Sequence, residues 1–297
     1  MSPGIGSLLS GIAARLQGET AALDAQVLLA HILERPRSWI AAHPEIEPEP
    51  VQLAALQDAL HRLEKGTPLP YVLGHWEFFG LDLRVTPAVL IPRPETELLV
   101  ERALSWLTAH PSRRRMVDVG TGSGCIAVTL AKRVPDLQAL ATDISGEALD
   151  IARQNAERHG VTERITFVQA DLLDIPSDLR PPAFDLLAAN LPYIPTRTLH
   201  GLAVFNREPS VALDGGADGL SLVQRLLEAA PGQMSRPALA LLEIEASQGE
   251  SVRALAAQAL PGSDIQIHQD LAGHDRLLEI RIQAKGLPKR ISRSVNY

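Results

Sequence analysis

The stretch Val117-Asp118-Val119-Gly120-Thr121-Gly122-Ser123-Gly124 decides the fold. An apolar strand, Met116 to Val119, runs directly into glycines at alternate positions, and a helical pattern begins at Cys125. Glycine lets a backbone turn sharply and come close to a ligand. The spacing separates the ligands that such a loop can hold. A dinucleotide fingerprint needs G-x-G-x-x-G, and counted from Gly120 its last glycine would fall on Cys125. The phosphate cradle G-x-x-x-x-G-K-[ST] is also missing. A compact G-x-G-x-G suits a ligand without a pyrophosphate, such as S-adenosylmethionine.

Outward from this loop, strands and helices alternate. Further strands are predicted at Leu137 to Thr142, Ile165 to Gln169, Phe184 to Ala189 and Leu239 to Ile244, with Ile265 to His268 and Leu277 to Ile282 as an antiparallel pair. Helices are predicted at Cys125 to Arg133, Glu147 to His159, Leu220 to Ala230 and Ser251 to Leu260. Such alternation builds a mostly parallel sheet covered on both faces. Ligands then bind at the carboxyl ends of the strands. The second strand ends in Thr142-Asp143, where an acid can accept hydrogen bonds from ribose hydroxyls. The third is followed by Ala170-Asp171-Leu172, so Asp171 can accept from an adenine amino group with Leu172 against the ring. With Gly120, Thr121, Gly122, Ser123, Gly124 and Asn190, these are the candidate cofactor residues. Asp118 either meets the ligand or serves the fold. Cys125 reads as a small buried residue, since no histidine is placed to activate it.

The fourth strand ends in Asn190-Leu191-Pro192-Tyr193. This grouping suits transfer to a planar NH2, whose delocalised lone pair attacks carbon poorly. Two acceptors aimed at its hydrogens hold the group and draw density toward nitrogen. The Asn190 side-chain oxygen and the Leu191 carbonyl can serve. Pro192 stiffens the turn and keeps Leu191 extended, and the Tyr193 ring can lie against a flat target.

The first 65 residues read as helices, with one face at Leu8, Leu9, Ile12, Ala13 and Leu16, an apolar stretch of helical length at Ala22, Leu23, Val27, Leu28 and Ala30 to Leu33, and another face at Leu53, Leu56, Leu60 and Leu63. The proline-rich His43 to Pro50 breaks the run. Trp76 to Val85 alternates around Gly80 and reads as a hairpin. Pro94 is placed at the first position of a helix with Glu95 and Glu97 near its positive end. The chain has 297 residues and a net charge of -7, which speaks against a grip on bare nucleic acid. It shows no membrane-length apolar run and no basic region ahead of an early apolar block. Its single cysteine suits a reducing cytoplasm. The nine histidines show no ligand-spaced pair, so no metal is expected. The stretch from Arg281 to Tyr297 has five cations and no acid, and reads as a solvated tail.

Together these motifs resemble the HemK/PrmC family, the methyltransferases that modify a glutamine side chain of peptide chain release factors. The resemblance rests on Leu23 to His31, Gly66 to Gly74, Glu77 to Gly80, Glu208-Pro209, Asp218 to Leu220, Glu243-Ile244 and Gln248-Gly249. Its most specific part is Leu90-Ile91-Pro92-Arg93-Pro94-Glu95-Thr96-Glu97. It implies an α/β fold: a class I S-adenosylmethionine-dependent methyltransferase, Rossmann-like, with a mostly parallel seven-stranded sheet and an antiparallel final strand. A small helical bundle and a β-hairpin linker would precede it. The implied divisions are 1–66 for docking the release factor, 67–93 for the linker, 94–284 for catalysis and 285–297 for the basic tail. The implied substrate is the glutamine of the Gly-Gly-Gln tripeptide, bound by Asn190, Leu191, Pro192 and Tyr193 and walled by Arg93, Pro94, Glu95 and Thr96. The partner would be the release factor, acting in translation termination, with no direct nucleic acid, no membrane and a single-chain enzyme. Two departures stand out: the family's usual Asn-Pro-Pro-Tyr is Asn-Leu-Pro-Tyr here, and Glu245 stands where glycine is usual. A ribosomal protein glutamine methyltransferase and a DNA adenine-N6 methyltransferase are the rival enzymes. A non-catalytic module binding the cofactor or the release factor is the rival from another class.

Overall fold

A computed structural model describes residues 3–16 and 18–284. The basic tail expected over 285–297 lies outside the described residues. By internal contacts the chain divides into two units, Met1–Trp76 with Arg84–Pro87, and Glu77–Leu83 with Ala88–Tyr297.

The first unit is helical. It holds α1 (Ile5–Leu16), α2 (Ala21–Ile32), α3 (Arg37–Ala42), α4 (Pro50–Glu64) and α5 (Leu69–Leu73). The break between α3 and α4 falls in the expected proline-rich stretch. Pro50 opens α4, where its missing N–H is no loss, and the Glu49 amide is capped by Gln52 Oε1 at 2.8 Å. Ile5, Ile12, Leu28, Leu29, Ile40, Leu56 and Leu60 form the core. Within the apolar stretch read at α2, Leu23 is exposed, while Ala21, Ala25, Leu28 and Leu29 are buried. That stretch is apolar nearly all round, so periodicity cannot select its inner face. The short helices α3 and α5 are too brief to show a period.

The two strands β1 (His75–Phe78) and β2 (Leu81–Arg84) form a hairpin crossed by the boundary between the units. Its turn residues Phe79 and Gly80 both have positive φ, 51° and 78°, the conformation that matches strand twist in a two-residue turn. Glu97 steadies this turn by accepting from the Phe79 amide at 2.9 Å.

In the second unit, α6 (Thr96–Ala109), β3 (Arg115–Val119), α7 (Cys125–Arg133), β4 (Gln138–Asp143), α8 (Gly146–Arg158), β5 (Ile165–Gln169) and β6 (Phe184–Ala189) follow in order. A short helix α9 (Thr196–Leu199) leads to α10 (Ser221–Ala229), β7 (Met234–Glu243), α11 (Gly249–Ala259), β8 (Asp264–Gln269) and β9 (Asp275–Ile282). The helix expected from Pro94 begins at Thr96. Pro94 and Glu95 form a preceding tight turn in which the Thr96 and Glu97 amides bond to the Arg93 and Pro94 carbonyls.

The strands form one seven-stranded sheet in the order β5-β4-β3-β6-β7-β9-β8. Only β9 runs against the rest. One apolar layer, with Leu99, Ala103, Ile126 and Leu130, covers one face, and a second, with Val223, Leu226, Val252 and Ala256, covers the other. The expected class of fold is therefore present. Strand order reverses beside β3, whose neighbours are β4 and β6, and this is where an open parallel sheet leaves a crevice.

Candidate active site

Register builds the site. Val119 lies opposite Thr142 and Ala189, and Ala189 lies opposite Leu242. The next residue of each strand is Gly120, Asp143, Asn190 or Glu243, so four chain segments leave the sheet side by side. A cavity of about 470 Å³ opens over their ends, a size ordinary for a small-molecule site.

The glycine loop is held from below. The amides of Gly120 and Thr121 both donate to the Thr142 carbonyl at 2.9 Å. Asp118 Oδ2 accepts from the Thr121 hydroxyl at 2.6 Å and from the Ala127 amide at 3.2 Å. Asn155 of α8 donates to the Ser123 carbonyl at 2.8 Å. Asp118 is fully buried and does not line the cavity, so it acts on the fold of the loop. Burial pushes its carboxyl up to about 6, against the lowering by Thr121. Cys125, expected to be buried, is half-buried because it lines the cavity; its thiol is pushed up to about 12 by desolvation and then by the charge of Asp118. A thiol held neutral in this way is a poor nucleophile.

Gly120 has φ of 71°, and a Cβ there would press on the Leu191 Cδ2 at 3.0 Å. Leu191 is buried in the core layer behind the loop, so the departure from proline fills a place against the glycine loop and keeps the backbone carbonyl. Asp143 Oδ2 accepts from the Gly122 amide at 2.9 Å and Oδ1 from the Ser145 amide at 2.9 Å. Burial holds its carboxyl above the ordinary range.

Of the residues singled out from the sequence, Arg93, Thr96, Gly120, Thr121, Gly122, Ser123, Asp143, Asp171, Leu172, Asn190, Leu191 and Pro192 line this one cavity. Pro94, Glu95, Gly124 and Tyr193 do not. Gly124 starts α7 behind the loop. Tyr193 is half-buried, and its phenol is pushed up to about 12 by desolvation and then by Glu243. Asp171 is exposed and its Oδ2 accepts from Arg225 at 2.7 Å.

Asn190 donates its Nδ2–H to Thr96 Oγ1 at 3.0 Å, and the Thr96 hydroxyl donates to Glu243 Oε2 at 2.6 Å. Among the described residues no donor takes Asn190 Oδ1. Arg93 is paired with Glu208, which also accepts from the Ile91 amide at 3.1 Å. Gln248 donates to the carbonyls of Tyr193 and Gly219 at 3.2 and 3.1 Å. Gly219 has φ of 78°, and a Cβ there would collide with the Tyr193 carbonyl oxygen. Glu245 caps the turn that presents Gln248 by accepting from the Ser247 amide at 2.8 Å.

Several lining residues were not singled out by their sequence. Ile144 follows Asp143 and is 56% exposed, and Val211 is 53% exposed, so both put apolar surface at the cavity. An apolar residue directly after a strand-end acid was a usable signal for Ile144. Val211 to Gly216 had none, because they reach the site through contacts distant in sequence, such as the pairing of Ile194 with Asp214. Among the described residues no group of three or more His, Cys, Asp and Glu could hold a metal ion.

This fold, with a glycine loop and a strand-end acid at the reversal of strand order, defines a methyltransferase domain. Residues 116–205 match the family described as a methyltransferase domain, and residues 7–74 match the PrmC N-terminal domain. The release factor glutamine methyltransferase of Moorella thermoacetica is 43% identical over 86% of this chain and 89% of its own length. That of Geobacter sulfurreducens is 39% identical over 89% and 90%. The chain belongs to the release factor glutamine methyltransferase family. In fold it is similar to the N-terminal domain of human METTL16 in complex with SAH, with a TM-score of 0.50 at 18% identity, covering 85% of this chain and 93% of that one.

Proposed function

We propose that this chain transfers a methyl group from S-adenosylmethionine to the side-chain amide nitrogen of the glutamine in the Gly-Gly-Gln motif of peptide chain release factors. The observation that carries the reading is Asn190, whose NH2 is taken by Thr96 and whose oxygen is left for a ligand at the cavity. The cavity fits the cofactor in chemistry: a tight glycine backbone, the Asp143 carboxylate and the apolar Ile144 and Leu172. When bound, S-adenosylmethionine supplies an electrophilic methyl on a sulfonium. Gly120, Thr121, Gly122, Ser123 and Gly124 shape its loop. Asp143 is assigned to its ribose, and Asp171 and Leu172 to its adenine.

Asn190 Oδ1 and the Leu191 carbonyl accept from the two hydrogens of the glutamine amide. They hold it flat and favour the charge that develops on nitrogen. Pro192 and Tyr193 stiffen and shape this turn, with the Tyr193 carbonyl held by Gln248. The methylated amide releases its proton to water, so no strong base is required. Arg93, Pro94, Glu95 and Thr96 form the wall toward the substrate, Arg93 and Thr96 at the cavity itself. Among its described residues the helical unit carries no comparable cluster of chemistry, and it is assigned to docking the release factor. The enzyme is taken to act as a single chain in the cytoplasm without direct contact to nucleic acid. No described helix is long and apolar enough to cross a membrane.

The test is incubation with methyl-labelled S-adenosylmethionine and purified release factor, beside a release factor whose tripeptide glutamine is replaced. Label in the first alone is the expected result. Equal labelling of both, or of neither, overturns the assignment.

A further inference from the structure

The proposed reaction makes one demand of Asn190 that its shape cannot meet unaided. A carboxamide has nearly the same outline with its oxygen and nitrogen exchanged, yet only oxygen can accept from the substrate NH2. Its orientation must come from a neighbour. Thr96 Oγ1 lies 3.0 Å from Asn190 Nδ2 and 2.6 Å from Glu243 Oε2. A hydroxyl carries one proton. When that proton is directed to a carboxylate, the hydroxyl oxygen can only accept from Asn190.

We propose that Glu243 is a positioning residue for methyl transfer: as a carboxylate it sets the direction of the Glu243–Thr96–Asn190 chain so that Asn190 presents oxygen to the acceptor amide, and its protonation reverses that chain. In the reversed state the Glu243 O–H donates to Thr96, and the Thr96 O–H donates to the Asn190 oxygen. The carboxamide turns over, and its NH2 then faces the NH2 of the substrate. The chain gains one proton, which Glu243 takes from water, and loses none. The inference rests on the function proposed above.

Two observations and one energetic argument support it. Glu243 does not line the cavity, and among the described residues its side-chain hydrogen bond is to Thr96, which does. Thr96 and Glu243 are 1% and 2% exposed, so water does not compete for these bonds. A buried carboxylate is costly to a sheet end that an apolar side chain would fill, and what the acid adds is a fixed direction of hydrogen bonding. The charged and titratable groups facing it come from several elements. Arg276 of β9, itself paired with Asp270, and Arg93 favour the carboxylate. Burial and Glu95 of the turn before α6 oppose it, and Tyr193 and Cys125 also feel its charge. Burial dominates and pushes the carboxyl up to about 7, against the lowering by Thr96. Reversal therefore falls within an accessible pH range.

The test is single-turnover methyl transfer by the full chain, with cofactor and release factor saturating, followed across pH. The wild-type rate is expected to fall about tenfold one pH unit below the Glu243 carboxyl's titration. Glu243→Gln still offers Thr96 an acceptor but cannot titrate, so its fall over the same range should be under about twofold. Thr96→Val should lose about tenfold or more in the single-turnover rate at every pH, with cofactor Kd within about twofold, and Thr96→Ser should recover most of it. Wild-type labelling that is flat with pH overturns the proposal and leaves the function standing. The same holds if Glu243→Gln keeps the wild-type limb, or if Thr96→Val fails mainly in cofactor binding. The wild-type profile and the Thr96 pair decide the matter even if Glu243→Gln does not fold. Absence of labelling at all pH values overturns the function, and this proposal with it.

Discussion

Asp118 shows how one residue can matter to a site it never touches. Its Oδ2 ties the Thr121 hydroxyl to the Ala127 amide, while its Oδ1 has no partner among the described residues. The loop gains a fixed shape, and the fold bears a buried charge. Because the folded-state carboxyl titrates at about 6 rather than 3.8, its contribution to stability is fully present below the unfolded value and is lost as pH rises through 6. The whole window is worth up to about 3 kcal/mol, roughly half of it between about pH 5 and 8. Asp118→Asn keeps an acceptor for both donors and cannot ionise. Equilibrium denaturation should therefore show the variant gaining on wild type as pH rises through that window, and a constant difference would refute the assignment. The strand-end position of Asp118 was legible in the sequence. Whether it faced ligand or core was not, because that turns on which side of the loop the backbone closes.

At the scale of elements, the cavity's outer wall is a long connection whose one regular piece is a turn of 3-10 helix, Ser210–Ala212. The segment between α9 and α10 is held against the ends of the strands by three attachments. Glu208 binds Arg93 and the Ile91 amide, the Ile194 amide donates to the Leu213 carbonyl at 3.1 Å, and Gln248 donates to the Gly219 carbonyl. Glu208→Gln retains an acceptor for the Ile91 amide and removes the charge opposite Arg93. The KM for release factor should rise about tenfold, a change of about 1.4 kcal/mol, with cofactor affinity nearly unchanged. Steady-state kinetics and a cofactor titration would show this, and an equal loss of both would place Glu208 elsewhere in the mechanism. The strands themselves were readable because runs such as Phe184 to Ala189 are apolar throughout, as buried parallel strands must be. The row of Gly120, Asp143, Asn190 and Glu243 was readable only in part. Three of its members follow evident strand ends, whereas the place of Glu243 beside Asn190 depends on the register of β7 against β6.

Over the whole molecule, the two units have separate cores. Leu28 sits at the centre of the helical one with Ile12, Leu29, Ile40 and Leu56, and none of these residues lines the cavity. Leu28→Ala should cost about 2–5 kcal/mol, felt in that unit's own unfolding. Cofactor affinity should be preserved while methylation of the release factor weakens. A calorimetric transition split into two, with intact cofactor binding, is the expected signature. Loss of cofactor affinity in step with the helical unit would count against separate cores.

Local chemistry was enough for the sequence alone to determine the class of fold, the glycine loop and the Asn190-Leu191-Pro192-Tyr193 turn after the fourth strand of the sheet domain. Glycine spacing, apolar runs and a strand-end acid act over a few residues and need no partner to be recognised. Tertiary structure alone decided what Thr96 and Glu243 do for Asn190, how Glu208 and Gln248 hold the cavity wall, and which face of α2 is buried. Each of these depends on hydrogen bonds or packing between residues far apart in the chain, and such contacts leave no period or motif in either partner.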